Sequence, residues 1–152
     1  MRAYGLSKVL TEDLCAGFTA RTSIPTVSLR PVHVWHPERY AAVEARWRAE
    51  PAAEWEPFWE FGGFVDVRDV ATAVERALTV PLRGHHRALL CATDIAASRP
   101  SLASAAQLAP GVPVKDEARY QASPWRALID CRVAEKVLGW HPRFTWSNRG
   151  QG

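Results

Sequence analysis

Tyr4-Gly5-Leu6-Ser7-Lys8 opens the chain, and the residues behind it continue one pattern: Leu6, Val9, Leu10, Leu14 and Phe18 recur at helical spacing. The spacing predicts a helix from Tyr4 to about Arg21, broken by Thr22-Ser23-Ile24-Pro25. On such a helix Tyr4 and Lys8 share a face, about 6 Å apart along the axis. An ammonium held beside a phenol favours the phenolate, which suits a tyrosine to proton transfer near neutral pH. The bland alternative is an exposed pair on a helix surface. A lone pair of this kind is a weak signal.

The rest of the chain reads outward from that helix. Thr26-Val27-Ser28-Leu29-Arg30 is a short β-branched run that suits a buried strand. Ala41, Val43, Ala45 and Trp47 mark a helix from Tyr40 to Arg48, ended by Pro51. Trp55, Phe58, Trp59 and Phe61 crowd an acidic segment, read as core with ring stacking on a ligand as the rival. Gly62-Gly63 forms a turn and Phe64-Val65 a brief strand. Asp66 then caps a helix in which Val67, Val70, Ala71, Val74, Ala77 and Leu78 make an apolar face, with Asp69 three residues after the cap. Both acids read as capping residues, because anions are stabilised at a helix N-terminus. Arg87 to Ala92 reads as a strand and Ser101 to Leu108 as a helix after Pro100. Asp130 opens a last helix through Leu138, stopped by Gly139. Trp140 reads as a core anchor, and the polar tail from Ser147 as frayed.

Four blocks of this sequence resemble, in order, the extended short-chain dehydrogenase/reductase family, the NAD(P)-dependent epimerases and dehydratases of sugar nucleotides. Tyr4-x-x-x-Lys8 is similar to its catalytic signature. Ser28-Leu29-Arg30-Pro31-Val32-His33-Val34-Trp35-His36-Pro37 resembles its strand followed by Arg-Pro-x-Asn-Val-Tyr-Gly-Pro. Phe64-Val65-Asp66-Val67-Arg68-Asp69-Val70-Ala71 resembles its Phe-x-His-Val-x-Asp-Val-Ala segment. Asp130 through Lys136-Val137-Leu138-Gly139-Trp140-His141-Pro142 is similar to its closing pattern and is the most specific of the four.

The resemblance implies an α/β fold: the C-terminal part of a Rossmann-type doubly wound sheet plus a small substrate-binding subdomain. Residues 1–152 would be one unit, made of the Tyr-x-x-x-Lys helix (4–21), a strand and substrate-side segment (26–65), and helices with a strand (66–146). It implies Tyr4 as general acid/base and Lys8 as a ligand of the nicotinamide ribose that lowers the tyrosine's pKa. Pro31, Val32 and His33 would touch the NAD or NADP, and Trp35 and His36 the sugar or nucleotide-sugar substrate. Trp35-His36 stands where the family has Tyr-Gly, and His33 where it often has Asn. The family's Gly-x-x-Gly-x-x-Gly loop after an apolar strand is missing from this sequence. The chain therefore reads as a C-terminal half, by truncation, a misplaced start or design, and as inactive alone. The rival is a silent domain that binds a partner or completes a separate N-terminal half. The helix from Tyr4 to Arg21 is also the expected surface for a homo-oligomer.

Composition narrows the classes. With 152 residues and 47% apolar content, the chain suits one globular domain. No run approaches eighteen apolar residues, and no signal-peptide core opens the chain, so a cytoplasmic protein without a membrane partner is expected. Cys15, Cys91 and Cys131 are far apart and fit reduced thiols better than a zinc site or a disulfide frame. His33 with His36, and His85 with His86, lack matching ligands, so no metal is expected. The net charge of +3 is spread without a basic stripe, which speaks against a nucleic-acid partner, the third and weakest option.

Overall fold

The structure is a computed structural model that describes residues 3–55 and 60–148. The first helix, α1 (Ala3–Thr22), ends at Ser23, whose left-handed backbone (φ 59°) and N–H bond to Thr19 O (2.9 Å) stop it before Pro25. Strand β1 (Thr26–Pro31) follows, and after Val32 the chain continues as β2 (His33–Trp35). Helix α2 (Pro37–Ala49) starts three residues before the expected Tyr40, because Pro37 at its first position needs no N–H partner and presets φ. Two short 3₁₀ turns, Pro51–Trp55 and Glu60–Gly62, lead to β3 (Phe64–Asp66) and α3 (Val67–Thr79). Strand β4 (His85–Leu90), α4 (Ser101–Leu108), α5 (Glu117–Ala122) and α6 (Arg132–Leu138) complete the order. Trp55 lies at the edge of the described residues, and Phe58 and Trp59 of the expected aromatic cluster lie outside them.

Two parallel pairs form the sheet structure. β1 runs beside β4 with Thr26 opposite His85 and Pro31 opposite Leu90, and β2 runs beside β3 with His33 opposite Phe64. Val32 N–H donates to Leu90 O (3.1 Å) and Ala92 N–H to Phe64 O (2.7 Å), so the two pairs are stitched together. Strand periodicity sorts the β1 side chains. Val27 and Leu29 pack with α3 and α6, in a cluster holding Ala73, Ala88, Leu90, Ala134, Leu138 and Trp140. On the other face Thr26 meets Thr19 of α1, and Arg30 meets Glu12. The chain is a mixed α/β fold with small parallel sheets.

A second core gathers Trp35, Tyr40, Val43, Phe64, Ala92, Ala96 and Trp146, with Trp47 against its edge. Trp35 stacks on Phe64 (4.6 Å, 22°) and meets Tyr40 and Trp146 edge-on. Cutting a ring such as Phe64 back to alanine in such a core costs about 3–5 kcal/mol. At the last helix, Gly139 adopts φ 60°, and a Cβ there would meet the Arg76 guanidinium at 2.7 Å. Arg76 Nε donates to Leu138 O (2.9 Å), so Gly139 is demanded both by its backbone and by its neighbour.

The apolar positions of α3 do not form one buried face. Ala73 is buried and Val70 and Ala77 pack against the core, whereas Ala71, Val74 and Leu78 face out. Leu78 is 82% exposed. The helix carries two apolar stripes, and this chain covers one of them.

Candidate functional site

Helix α1 rests on the sheet by a single narrow face. Thr19 is buried and Glu12, Cys15 and Ala16 are half-buried, at the i, i+3, i+4, i+7 spacing of one helix side. Glu12 fixes that side, because its carboxylate accepts from Arg30 of β1 (Nε, 2.6 Å; also Nη2) and from Arg87 Nε of β4 (2.8 Å). Arg87 also reaches Asp13 (3.1 Å). Hydrogen bonding from Arg30, aided by Arg87, outweighs partial burial and holds the Glu12 carboxyl at about 2. The helix is thus pinned across both strands.

These contacts set an antiparallel register between α1 and β1: Thr19 bonds Thr26 at one end, and Glu12 bonds Arg30 near the other. Helical residues advance about 1.5 Å and strand residues about 3.3 Å. Thr19 back to Lys8 and Thr26 on to Pro31 therefore both span about 16 Å, so Lys8 lies level with Pro31. Tyr4 lies one turn farther, past the carboxyl end of β1. That end is where open α/β sheets bind ligands.

Tyr4 is 74% exposed, and the Lys8 ammonium sits over its ring, 5.2 Å from the centroid. Pro31 is exposed, and Val32 and His33 are half-buried. His36 is exposed at the start of α2. Trp35, expected to face substrate, is instead core: it is 2% exposed and enclosed by Phe64, Tyr40 and Trp146. The reason is the strand itself, which turns Val34 outward and Trp35 inward.

Asp66 and Asp69 act differently from each other. Asp66 caps α3 as expected, accepting from Arg68 N (2.9 Å), and it also takes the Arg68 guanidinium (2.9 and 3.0 Å) and Tyr40 Oη–H (2.9 Å). Burial alone would raise its carboxyl, but the bonds from Arg68 and Tyr40 win and hold it below its usual value. Desolvation, with that carboxylate adjacent, pushes the Tyr40 phenol up. Asp69 does not cap its own helix. Its carboxylate accepts from the backbone N–H of Arg143 (3.0 Å) and Phe144 (3.0 Å), and its carbonyl from the Trp140 indole (2.9 Å). Burial raises the Asp69 carboxyl despite those donors. Both acids are structural.

Sequence reading did not find the cleft of about 480 Å³ at the carboxyl end of β4. Cys91, Ala92 and Thr93 line it together with Ala105 of α4, Ala109 just after that helix, and the charged and polar Lys115, Asp116, Arg119, Tyr120, Arg126 and Glu135. Arg132 at its rim is taken by Asp130 (2.6 Å), whose carboxyl it holds at about 2. Lys115, Arg119 and Arg126 make no ion pair among the described residues. Asp116 and Glu135 line the cavity as well, and Asp130 feels Arg119 besides Arg132, so the charge is mixed with a small basic excess that suits a ligand bearing an anionic group. Burial pushes the Cys131 thiol on its wall up to about 11, so it is no nucleophile at neutral pH. The only sequence signal for this cleft was the cluster of basic residues after the Pro110–Pro113 turn, which has no periodicity.

Among the described residues no three His, Cys, Asp or Glu converge as a metal site, and no helix is long and apolar enough to cross a membrane. The chain matches no protein-family model, no curated protein and no solved structure.

Proposed function

We propose that this chain is the C-terminal part of an NAD(P)-dependent oxidoreductase, epimerase or dehydratase acting on a sugar or nucleotide sugar. One observation carries the reading. The register that Thr19–Thr26 and Glu12–Arg30 set between α1 and β1 supports it, since it carries Lys8 level with Pro31 and Tyr4 past the carboxyl end of a parallel strand. The cleft at the carboxyl end of β4, with its small basic excess, supports it too, since a nucleotide sugar carries a diphosphate.

The residues present fit one end of the cofactor. Exposed Lys8, level with Pro31, and Tyr4, one turn beyond it, suit the nicotinamide and its ribose. Helix α3, which directly follows β3, offers no cradle for the pyrophosphate: its N-terminus is filled by the Asp66 carboxylate, where a phosphate would have to sit. The cofactor would exchange the hydride in the parent enzyme. Tyr4 would hold and move the proton at the reacting substrate oxygen, and Lys8 would orient the phenol and grip the ribose. His36 would touch substrate from the start of α2.

A second reading, a silent domain that completes another polypeptide, is favoured by the outer face of α1. Leu6, Leu10, Leu14 and Phe18 are exposed along the side opposite Glu12 and Thr19, and both β1 and β4 are edge strands. Cofactor titration separates the two. NADH should give no binding heat with this chain, and a chain extended with an in-frame upstream nucleotide-binding half should bind it and turn over. A restored chain that binds cofactor yet transfers no hydride from any sugar nucleotide would favour the silent domain.

A further inference from the structure

A second cavity of about 490 Å³ lies on the far side of the bridge between Asp94 and Arg126. Three chain segments form it, and each is tied to another. Ile95 N–H donates to Trp125 O (2.8 Å), Ala127 N–H to Thr93 O (2.9 Å), and Ser101 N–H to Pro124 O (2.7 Å). The Asp94 carboxylate takes Trp146 N–H (2.8 Å) on one oxygen and Ser147 N–H (2.9 Å) on the other. The walls are therefore built in advance of any ligand, which lowers the cost of binding.

Their chemistry is specific. Ile95, Ala97, Pro124 and the buried Trp146 give an apolar lining, and Trp125 stands in it 45% exposed. Its backbone is anchored through Trp125 O and Pro124 O, so the indole is carried at a fixed point of the wall with one part wet. The rim carries one anion and one cation, Asp94 and Arg126, and neither makes an ion pair among the described residues. Each Asp94 oxygen keeps a lone pair after its backbone bond, and Arg126 offers only donors. A cationic ligand would meet Arg126, and an anionic one would meet Asp94. An uncharged ring with hydroxyls, which donate and accept, and with a C–H face for the indole satisfies every wall.

We propose that this cavity binds a neutral pyranose, stacked on Trp125 with its hydroxyls between Asp94 and Arg126. The site shares Thr93 and Arg126 with the first cleft and is otherwise lined by different residues, and the inference does not depend on the proposed oxidoreductase function. The test is saturation-transfer NMR on this chain with a panel of methyl pyranosides, free monosaccharides, tetramethylammonium and inorganic phosphate. Saturable millimolar binding of a pyranoside, with saturation on its ring C–H protons, is expected. Trp125→Ala should weaken it about tenfold, the scale of one stacked aromatic contact. Arg119→Ala, confined to the other cleft, should leave it unchanged. Circular dichroism identical to the parent's ensures that the Trp125 variant is read as folded, and Trp125→Phe should restore part of the affinity. Binding of the methyl glycosides alone assigns the terminal ring of a glycan, and equal binding of reducing sugars assigns a free sugar. No saturable pyranose binding, binding indifferent to Trp125, or preference for tetramethylammonium or phosphate would each overturn the assignment.

Discussion

Two helices of this chain carry paired chemical groups near their N-termini, and the surroundings of the pairs are opposite. On α1, Tyr4 and Lys8 stand in solvent, with the Lys8 ammonium over the Tyr4 ring. On α3, Asp66 and Asp69 are shut from solvent, and their carboxylate oxygens are taken by protein donors. A buried group with its hydrogen bonds complete has no donor or acceptor left for a substrate, while an exposed pair keeps its own. The contrast teaches that a polar group's chemistry depends on what remains unsatisfied around it.

The largest effect that tests this contrast is catalytic. In a chain restored with a nucleotide-binding half, Tyr4→Phe should lower hydride transfer by about 10²–10⁴ while cofactor affinity holds. Nicotinamide absorbance measures the rate. A variant within a few fold of its parent would remove Tyr4 from the mechanism. Lys8→Met should impair both rate and cofactor binding.

Next comes stability. Asp69→Ala leaves the backbone N–H groups of Arg143 and Phe144 without their buried acceptor and should cost about 1–3 kcal/mol in urea denaturation. Asp66→Ala removes a cap and the partners of Tyr40 and Arg68, and about 1–3 kcal/mol is expected. If either acid were free to act on a substrate, its replacement would leave stability nearly intact.

The helix faces give a third test. Leu10→Asp with Leu14→Asp should abolish self-association in analytical ultracentrifugation without loss of helicity, because both side chains are already exposed. A parent chain that sediments as a monomer at every concentration would refute the oligomer expectation.

A smaller effect depends on pH. Glu12 titrates at about 2 when folded, below its usual 4.5, so its contribution is complete above pH 4.5 and is lost as pH falls toward 2. Glu12→Gln should flatten the acid limb of stability in that window. Asp69 has the opposite sign: its carboxyl is raised, so its charging opposes folding as pH rises. The smallest effect closes the comparison. Tyr4→Phe in this chain should change stability by no more than about 0.5 kcal/mol, as exposed sites do.

Local signals were legible in the sequence, and distant ones were not. The breaker at Thr22–Pro25, the cap at Asp66 and the stop at Gly139 are each written within a few residues, and the structure has all three. Helix α5 escaped notice because six residues give no readable period. Asp69 was read as a cap because its true partners lie more than seventy positions away. Trp35 was read as substrate-facing by motif alignment, yet strand alternation sends it into the core. The cleft joins residues from the segment after β4, from α4, from α5 and from the loop before α6, a convergence that no local window contains.

The segment from Arg143 to Ser147 is what closes the middle of the fold. Trp146 fills the aromatic core beside Trp35, Tyr40 and Phe64, and Asp69 and Asp94 grip the backbone from Arg143 to Ser147. During synthesis those two carboxylates and that half-built core wait without their partners until this segment has left the ribosome. A nascent chain that stops short of Arg143 holds most of these helices and lacks the piece that seals them. Until that piece emerges, the apolar core is open to aggregation and to proteases.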